Sequence, residues 1–165
     1  MHKSIRYLTQ AAVIAALYVA LTYLTNLAGL ASGAIQFRLS EALTILPFFT
    51  PAAIPGLFVG CFLANLLTGC IWWDIVFGSL ATLAGALGTW FLRKSKWLAP
   101  VPPIVANIVI VPLILHYGYG FTDSYGILSP IPYFAVTVGI GEIVCCGVLG
   151  MALLFALLPV RKKLF

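Results

Sequence analysis

Charge is scarce in this sequence of 165 residues. Only 8% of the residues are charged, nine of them basic and four acidic, whereas a soluble domain has roughly 25%. So few charges cannot cover the surface of a soluble protein. Disorder is also excluded, because a disordered chain has low hydrophobicity, and 62% of these residues are hydrophobic. The composition therefore indicates an integral membrane protein.

The sequence also lacks the signatures of catalysis and of metal or nucleic-acid binding. It contains no phosphate-binding glycine loop, no HExxH motif and no nucleophile elbow, and its length leaves no room for an ATPase domain. The four cysteines have neither the paired spacing nor the histidine partners of a zinc site, and we interpret them as small packing residues. No basic stripe with interleaved aromatic residues suggests a nucleic-acid partner. We therefore expect no enzyme activity, no cofactor and no metal.

Long uncharged stretches define the predicted helices. The 31 residues between Arg6 and Arg38 carry no charge, and neither do the 32 residues 42–73, whereas about 20 apolar residues cross a bilayer. Prolines at positions 47, 51 and 55 interrupt the second stretch, so we predict a short helix followed by a longer one. The prediction is a single all-α domain over residues 1–165 with six transmembrane helices, at residues 7–30, 40–49, 52–70, 75–92, 100–117 and 134–158.

The basic residues predict the orientation of these helices. Three clusters, at residues 3–6, 93–96 and 161–163, lie at the ends of apolar stretches. Cytoplasmic loops are enriched in Lys and Arg. Four predicted helices separate the first two clusters and two separate the last two, so all three clusters can lie on the cytoplasmic side. We expect both termini to be cytoplasmic and the segments around Arg38 and Asp74 to face outside.

The few polar residues within apolar stretches are the candidates for function. Glu142 lies in the last predicted helix, where an ionisable side chain costs about 2.5–3.5 kcal/mol and marks either a ligand site or a pair with another helix. Asn107 contacts a ligand or hydrogen-bonds another helix. Arg38 and Glu41 are spaced to pair with each other or to bind a ligand. Asp74 follows two tryptophans, which belong to an interfacial belt or form an aromatic platform beside a carboxylate.

Small residues form a pattern on the first predicted helix. Ala12, Ala16 and Ala20 repeat every four residues, as do Ala11 and Ala15. Alanines at this spacing share a helix face and allow another helix to approach closely. The face contacts either a partner subunit or another helix of the same chain.

Several of these segments together resemble one family. The runs IQFRLSEALTILPFFTPAAIPGLFVGCFLANLLTG, WWDIVFGSLATLAGALGTW, PPIVANIVIV and VGIGEIVCC closely resemble the QueT family of predicted queuosine-precursor transporters, which are substrate-binding S components of energy-coupling factor (ECF) transporters. The resemblance covers roughly residues 8 to 160 and keeps the family's order of segments. It implies a six-helix S component in the cell membrane that captures a nutrient from outside. It also implies as partners a transmembrane coupling subunit, EcfT, and two cytoplasmic ATPases.

The resemblance also implies residue roles. An AxxxA motif on the first helix docks the coupling subunit in this superfamily, and Ala12 and Ala16 match it, with Ala20 continuing the row. The bound S component is thought to topple in the membrane. The implied substrate is a 7-deazaguanine. A carboxylate such as Glu142 would accept hydrogen bonds from its guanine-type edge, and Asn107 would contact the carbonyl side. Asp74 or Glu41 would lie near an aminomethyl group. The implied pocket comprises Gln36, Arg38, Glu41, Asp74, Ser79, Asn107 and Glu142.

Two other functions are alternatives. The first is an ion-coupled secondary transporter with Glu142 and Asp74 as proton sites, although the inverted repeats typical of such folds are not visible. The second is a membrane scaffold that binds no small molecule. Its signature would be helix-packing motifs without a polar pocket.

Overall fold

The computed structural model of the protein describes residues 2–30, 37–122 and 129–161. The described residues form helices joined by short connections, with no strand among them, which confirms the predicted all-α class. The elements are α1 (His2–Leu27), a 3-10 helix (Leu39–Phe48), α2 (Ala53–Leu67), α3 (Asp74–Phe91), α4 (Val101–Gly118) and α5 (Pro130–Leu157).

Four of these helices are long and apolar enough to cross a membrane. They are α1, α3, α4 and α5, whereas α2 has 15 residues and the 3-10 helix has 10. At about 1.5 Å per residue, α2 is about 22 Å long, which is shorter than a hydrocarbon core of about 30 Å. The prediction of six transmembrane helices is thus supported for four of them, and both short helices come from the proline-containing stretch.

Two helices end earlier than predicted because glycine stops them. Residues Gly29 and Gly69 have φ angles of 70° and 74°, a left-handed conformation that ends helices and suits glycine. The backbone N–H of Cys70 then bonds to the carbonyl of Asn65 at 3.0 Å, closing the end of α2. Consequently α1 ends at Leu27 and α2 at Leu67.

The 3-10 helix lies inside the bundle and positions the site. It packs against α1, α3 and α5, and most of its residues are buried, including Ser40, Glu41 and Thr44. A 3-10 run of this length is uncommon, and at about 2.0 Å per residue it is more extended than an α-helix. It carries Glu41 into the space between the longer helices.

The first two α-helices pack closely through small residues. A Cβ atom added at Gly60 would lie 2.8 Å from the Cβ of Tyr18, and one at Gly56 would lie 2.7 Å from the Ala11 carbonyl oxygen. Ala11 and Ala15 are buried in this contact. The other row of alanines, Ala12, Ala16 and Ala20, lies on an adjacent, exposed face of α1.

Each of the last three helices contains a π-helical segment. These segments are Asp74–Gly78, Ile114–Gly118 and Ile143–Leu149. Such segments are rare and are found most often at functional sites. Here the first begins at Asp74 and the third begins directly after Glu142, so two candidate residues lie at the points where the helices depart from regular geometry.

Candidate functional site

A pocket opens between the 3-10 helix and helices α3, α4 and α5. The space between these elements is about 390 Å³, including its open mouth. The described residues that line it are Arg38, Glu41, Thr82, Asn107, Val111, Val138 and Glu142. Four of the seven predicted site residues therefore meet in one pocket.

Two buried carboxylates face each other across Asn107. Glu41 is 3% exposed and Glu142 is 9% exposed. The side-chain amide of Asn107 donates to Glu142 Oε1 at 2.9 Å and lies 3.5 Å from Glu41 Oε2. Because Asn107 is on α4 and the two carboxylates are on the 3-10 helix and α5, this amide connects three elements.

Each carboxylate accepts a further hydrogen bond from a second side chain. The hydroxyl of Tyr18, on α1, donates to Glu41 Oε1. The Cys146 thiol donates to Glu142 Oε2 at 3.0 Å and lies 3.3 Å from the Thr44 hydroxyl. The interpretation of the cysteines as packing residues is therefore incomplete for Cys146, because its thiol also hydrogen-bonds a site carboxylate.

The same groups have the spacing of metal ligands. One oxygen each of Glu41 and Glu142 and the sulfur of Cys146 lie within 4.8 Å of one another, and carboxylate and thiolate groups bind zinc. The carboxylate oxygens, however, already accept hydrogen bonds from Asn107, Tyr18 and Cys146. These three groups are thus linked in one hydrogen-bonded cluster with Asn107.

Arg38 pairs across the chain at the edge of the pocket. Its guanidinium lies 3.5 Å from Asp74 Oδ2, and the Tyr119 hydroxyl lies 3.4 Å from the same oxygen. The local pairing of Arg38 with Glu41, one of two interpretations of their spacing, is replaced by this longer-range pair. Asp74 is 5% exposed but is not part of the pocket lining.

Burial and nearby charges shift the pKa values of Arg38 and Tyr119 at the edge of the pocket. Burial acts to lower the pKa of Arg38, but the Asp74 carboxylate and other nearby acidic groups outweigh it and raise that pKa above its ordinary value. Burial raises the pKa of Tyr119, and the negative charge of Asp74 acts in the same direction. Arg38 therefore remains a cation and Tyr119 remains a donor at neutral pH.

The remaining predicted site residues lie elsewhere. The Ser79 hydroxyl donates to the Ile75 carbonyl of its own helix at 2.6 Å, and Ser79 is not in the pocket lining. Gln36 lies outside the described residues. Trp72 and Trp73 stack on each other with ring centroids 4.2 Å apart and are exposed, as residues of an interfacial belt would be.

Sequence reasoning missed Tyr18, Thr82 and Cys146. Tyr18 had a detectable signal, because Tyr18, Thr22 and Thr25 recur at helical spacing and form a polar stripe on one face of α1. Cys146 follows Glu142 by four residues, which places both on one face of a regular helix. Thr82 has no comparable signal in the sequence.

Comparison with known proteins identifies the family of this chain. Residues 8–159 match the family described as QueT transporter. The chain belongs to the QueT transporter family. Among curated relatives of this QueT family member is the queuosine precursor transporter QueT of Lactococcus lactis subsp. cremoris (strain MG1363), which is 40% identical over 84 residues, or 50% of this chain and 49% of the relative.

The match to the curated relative covers part of each of the two proteins. The chain spans about half the length of the curated relative it matches. No solved structure matches the chain. Family membership and the four candidate spans together identify a multi-pass membrane protein.

Proposed function

We propose that this QueT family member is the substrate-binding S subunit of an ECF importer. It would capture a queuosine precursor of the 7-deazaguanine class at the outer face of the cell membrane. The observation that carries the proposal is the pocket, in which Glu41 and Glu142 flank Asn107. The name of the Lactococcus lactis relative supports the choice of substrate.

The hydrogen-bonding capacity of the pocket suits a purine-like ligand that is rich in donors. A guanine-type edge has two neighbouring N–H donors, and one carboxylate accepts both in charge-assisted hydrogen bonds. Glu142 is the residue for this role, and the Asn107 amide would turn from Glu142 to the ligand carbonyl. Val111 and Val138 line the same pocket and would contact the faces of the ring.

A second carboxylate suits an aminomethyl substituent, which is a cation at neutral pH. Glu41 and Asp74 were both candidates for this role. Glu41 lines the pocket, whereas Asp74 pairs with Arg38 outside the lining. We therefore assign the cationic group to Glu41 and give Asp74 the role of holding Arg38 at the pocket edge.

The outer face of α1 supports the assembly with a coupling subunit. Ala12, Ala16 and Ala20 are exposed, while the neighbouring row, Ala11 and Ala15, is already buried in the contact with α2. The exposed row is available to a helix of EcfT, since small residues allow close approach. Two ATPases would supply the energy for toppling, and this chain would hydrolyse nothing.

A binding experiment tests the substrate proposal. We expect protein purified in detergent to bind 7-aminomethyl-7-deazaguanine saturably in calorimetry, with no ion gradient, coupling subunit or ATP. The matched control ligand is 7-aminomethyl-7-deazaadenine, which keeps the ring and the aminomethyl group but changes the hydrogen-bonding edge and should bind at least about tenfold more weakly. Absence of binding by the folded protein would overturn the proposal, and binding whose affinity depends on the sodium concentration or on pH would favour an ion-coupled secondary transporter.

A further inference from the structure

Helix α1 contacts the carboxylate pocket through a polar stripe. Tyr18 and Thr22 lie one turn apart on the buried face of α1, and both are at most 4% exposed. The Tyr18 hydroxyl donates to Glu41 Oε1, and the Thr22 hydroxyl donates to the Ser40 hydroxyl at 2.8 Å. Two consecutive residues of the 3-10 helix are thus bonded to α1.

The position of Tyr18 is fixed by its packing. The side chain is 1% exposed, and its Cβ lies against Gly60 of α2, where an added Cβ would approach to 2.8 Å. Because the side chain is buried and its Cβ is in close contact with α2, the ring has little space in which to move away from Glu41. Its hydroxyl is therefore a donor at a defined place, and such pre-organisation lowers the cost of binding.

We propose that Tyr18 is a positioning residue of the pocket. By donating to Oε1 of Glu41, it keeps that carboxylate oriented with Oε2 toward Asn107 and the ligand. This inference rests on the proposed function only in that the pocket binds the solute. None of the described residues that line the pocket belongs to α1. Through Tyr18, α1 nevertheless becomes one of the elements that set the affinity of the pocket for its ligand.

A double-mutant cycle tests whether Tyr18 acts through Glu41. We expect Tyr18→Phe, which removes one hydroxyl, to weaken 7-aminomethyl-7-deazaguanine binding about tenfold. In a Glu41→Ala background the same substitution should change affinity less than about twofold, because the side chain that it positions is gone. Tyr23→Phe is the matched control, since Tyr23 lies on the same helix and is exposed; it should bind as the wild type does.

The cycle separates positioning from general stabilisation. Equal losses of affinity for Tyr18→Phe in both backgrounds would overturn the proposal, because a purely structural tyrosine acts independently of Glu41. Thr22→Val keeps the test possible if Tyr18→Phe does not fold. It removes the second link from α1 and should weaken binding in the wild-type background but not in Glu41→Ala.

A measurement without substrate distinguishes this inference from the substrate proposal. Dicyclohexylcarbodiimide labels carboxyl groups in apolar surroundings, and mass spectrometry assigns the labelled residue. Labelling of Glu41 should rise at least about threefold in Tyr18→Phe, because the carboxyl group has lost a charge-assisted donor, and should stay unchanged in Tyr23→Phe. If the wild type does not bind the deazaguanine, the proposed substrate fails while labelling still decides the role of Tyr18; unchanged labelling in Tyr18→Phe would refute it.

Discussion

At the scale of single residues, Glu41 and Glu142 share one hydrogen-bond donor but have different second donors. Both are bonded to Asn107, whereas Tyr18 of another helix holds Glu41 and Cys146 of the same helix holds Glu142. The second contact of Glu142 is local and that of Glu41 is tertiary. We therefore expect the orientation of Glu41 to depend more strongly on how the helices pack.

The first prediction concerns Glu142. Glu142→Gln should fold and insert normally, because the amide has the same shape, but it should bind 7-aminomethyl-7-deazaguanine at least about tenfold more weakly. The reason is the loss of charge-assisted contacts worth about 1.5–3 kcal/mol. Calorimetry on the purified variant measures the effect.

Asp74→Asn is the control for this prediction. It makes the same chemical change at a carboxylate outside the pocket lining, so its loss of affinity should be smaller than that of Glu142→Gln. Wild-type affinity in Glu142→Gln would make Glu142 a structural carboxylate and would move the site elsewhere.

Sequence predicted those site residues whose isolation among apolar neighbours is visible locally. Glu142 and Asn107 stand out because each is a polar residue in a long apolar run, and both line the pocket. Tyr18 and Cys146 were missed despite their helical spacing to other polar residues, because tyrosine and cysteine are ordinary residues of apolar helices. Only the tertiary arrangement shows that their donors reach carboxylates.

The partner of Arg38 shows the same limit of sequence reasoning. Spacing suggested Glu41, three residues away, but the observed partner is Asp74, 36 residues away. The long side chain of arginine pairs with the carboxylate that lies nearest to it in the folded protein. The sequence alone contains no measure of that distance.

At the scale of elements, α1 presents two rows of alanine with different neighbours. Ala15 is buried against Gly60 of α2, and Ala16, the next residue, is exposed. The sequence showed both rows but could not tell which one faces the rest of the chain. Their neighbours decide it, because close backbone contact at Gly56 and Gly60 accommodates only the first row.

The second prediction compares these two adjacent alanines. Ala15→Leu should destabilise the protein by about 1–3 kcal/mol, because the larger side chain overpacks the contact between α1 and α2. Ala16→Leu should leave the stability within about 0.5 kcal/mol of the wild type, as is usual for an exposed position. Thermal unfolding in detergent measures both, and equal melting temperatures for the two variants would contradict the assignment of the faces.

The 3-10 helix was predicted as a short helix, but its type was not. The prolines at 47 and 51 indicate an interruption, and the observed helix, Leu39–Phe48, lies close to the predicted segment 40–49. Whether such a segment is α or 3-10 depends on the space that α1, α3 and α5 leave for it. That space is a property of the packed bundle.

At the scale of the whole molecule, the pocket and the exposed alanine face are separate surfaces. The pocket is lined by the 3-10 helix and its preceding Arg38 together with α3, α4 and α5, while the alanines lie on the outer side of α1. The proposed capture of the solute and the proposed assembly with a coupling subunit can therefore be disturbed independently. Tyr18 is the point at which α1 still touches the pocket.

The third prediction uses that separation. Ala12→Leu and Ala16→Leu should bind the deazaguanine as the wild type does, but should fail to co-purify with EcfT and should abolish uptake by cells, because added bulk prevents close helix approach. Calorimetry, affinity co-purification and uptake of a radiolabelled precursor measure the three properties. Undiminished uptake would show that this face contacts lipid, and a collapse of binding would show that it packs inside the bundle.

The proposal that α2 also crosses the membrane has a consequence for the surrounding lipid. A helix of 15 residues falls about 8 Å short of the hydrocarbon thickness, and lipids adapt to such hydrophobic mismatch by thinning locally, at a fraction of a kcal/mol per Å. The thinned region would lie beside α1, because α2 packs on α1. Acyl-chain length should then act on this protein as a control parameter: in reconstituted vesicles, we expect unfolding to occur at a higher temperature in 14-carbon than in 22-carbon lipids.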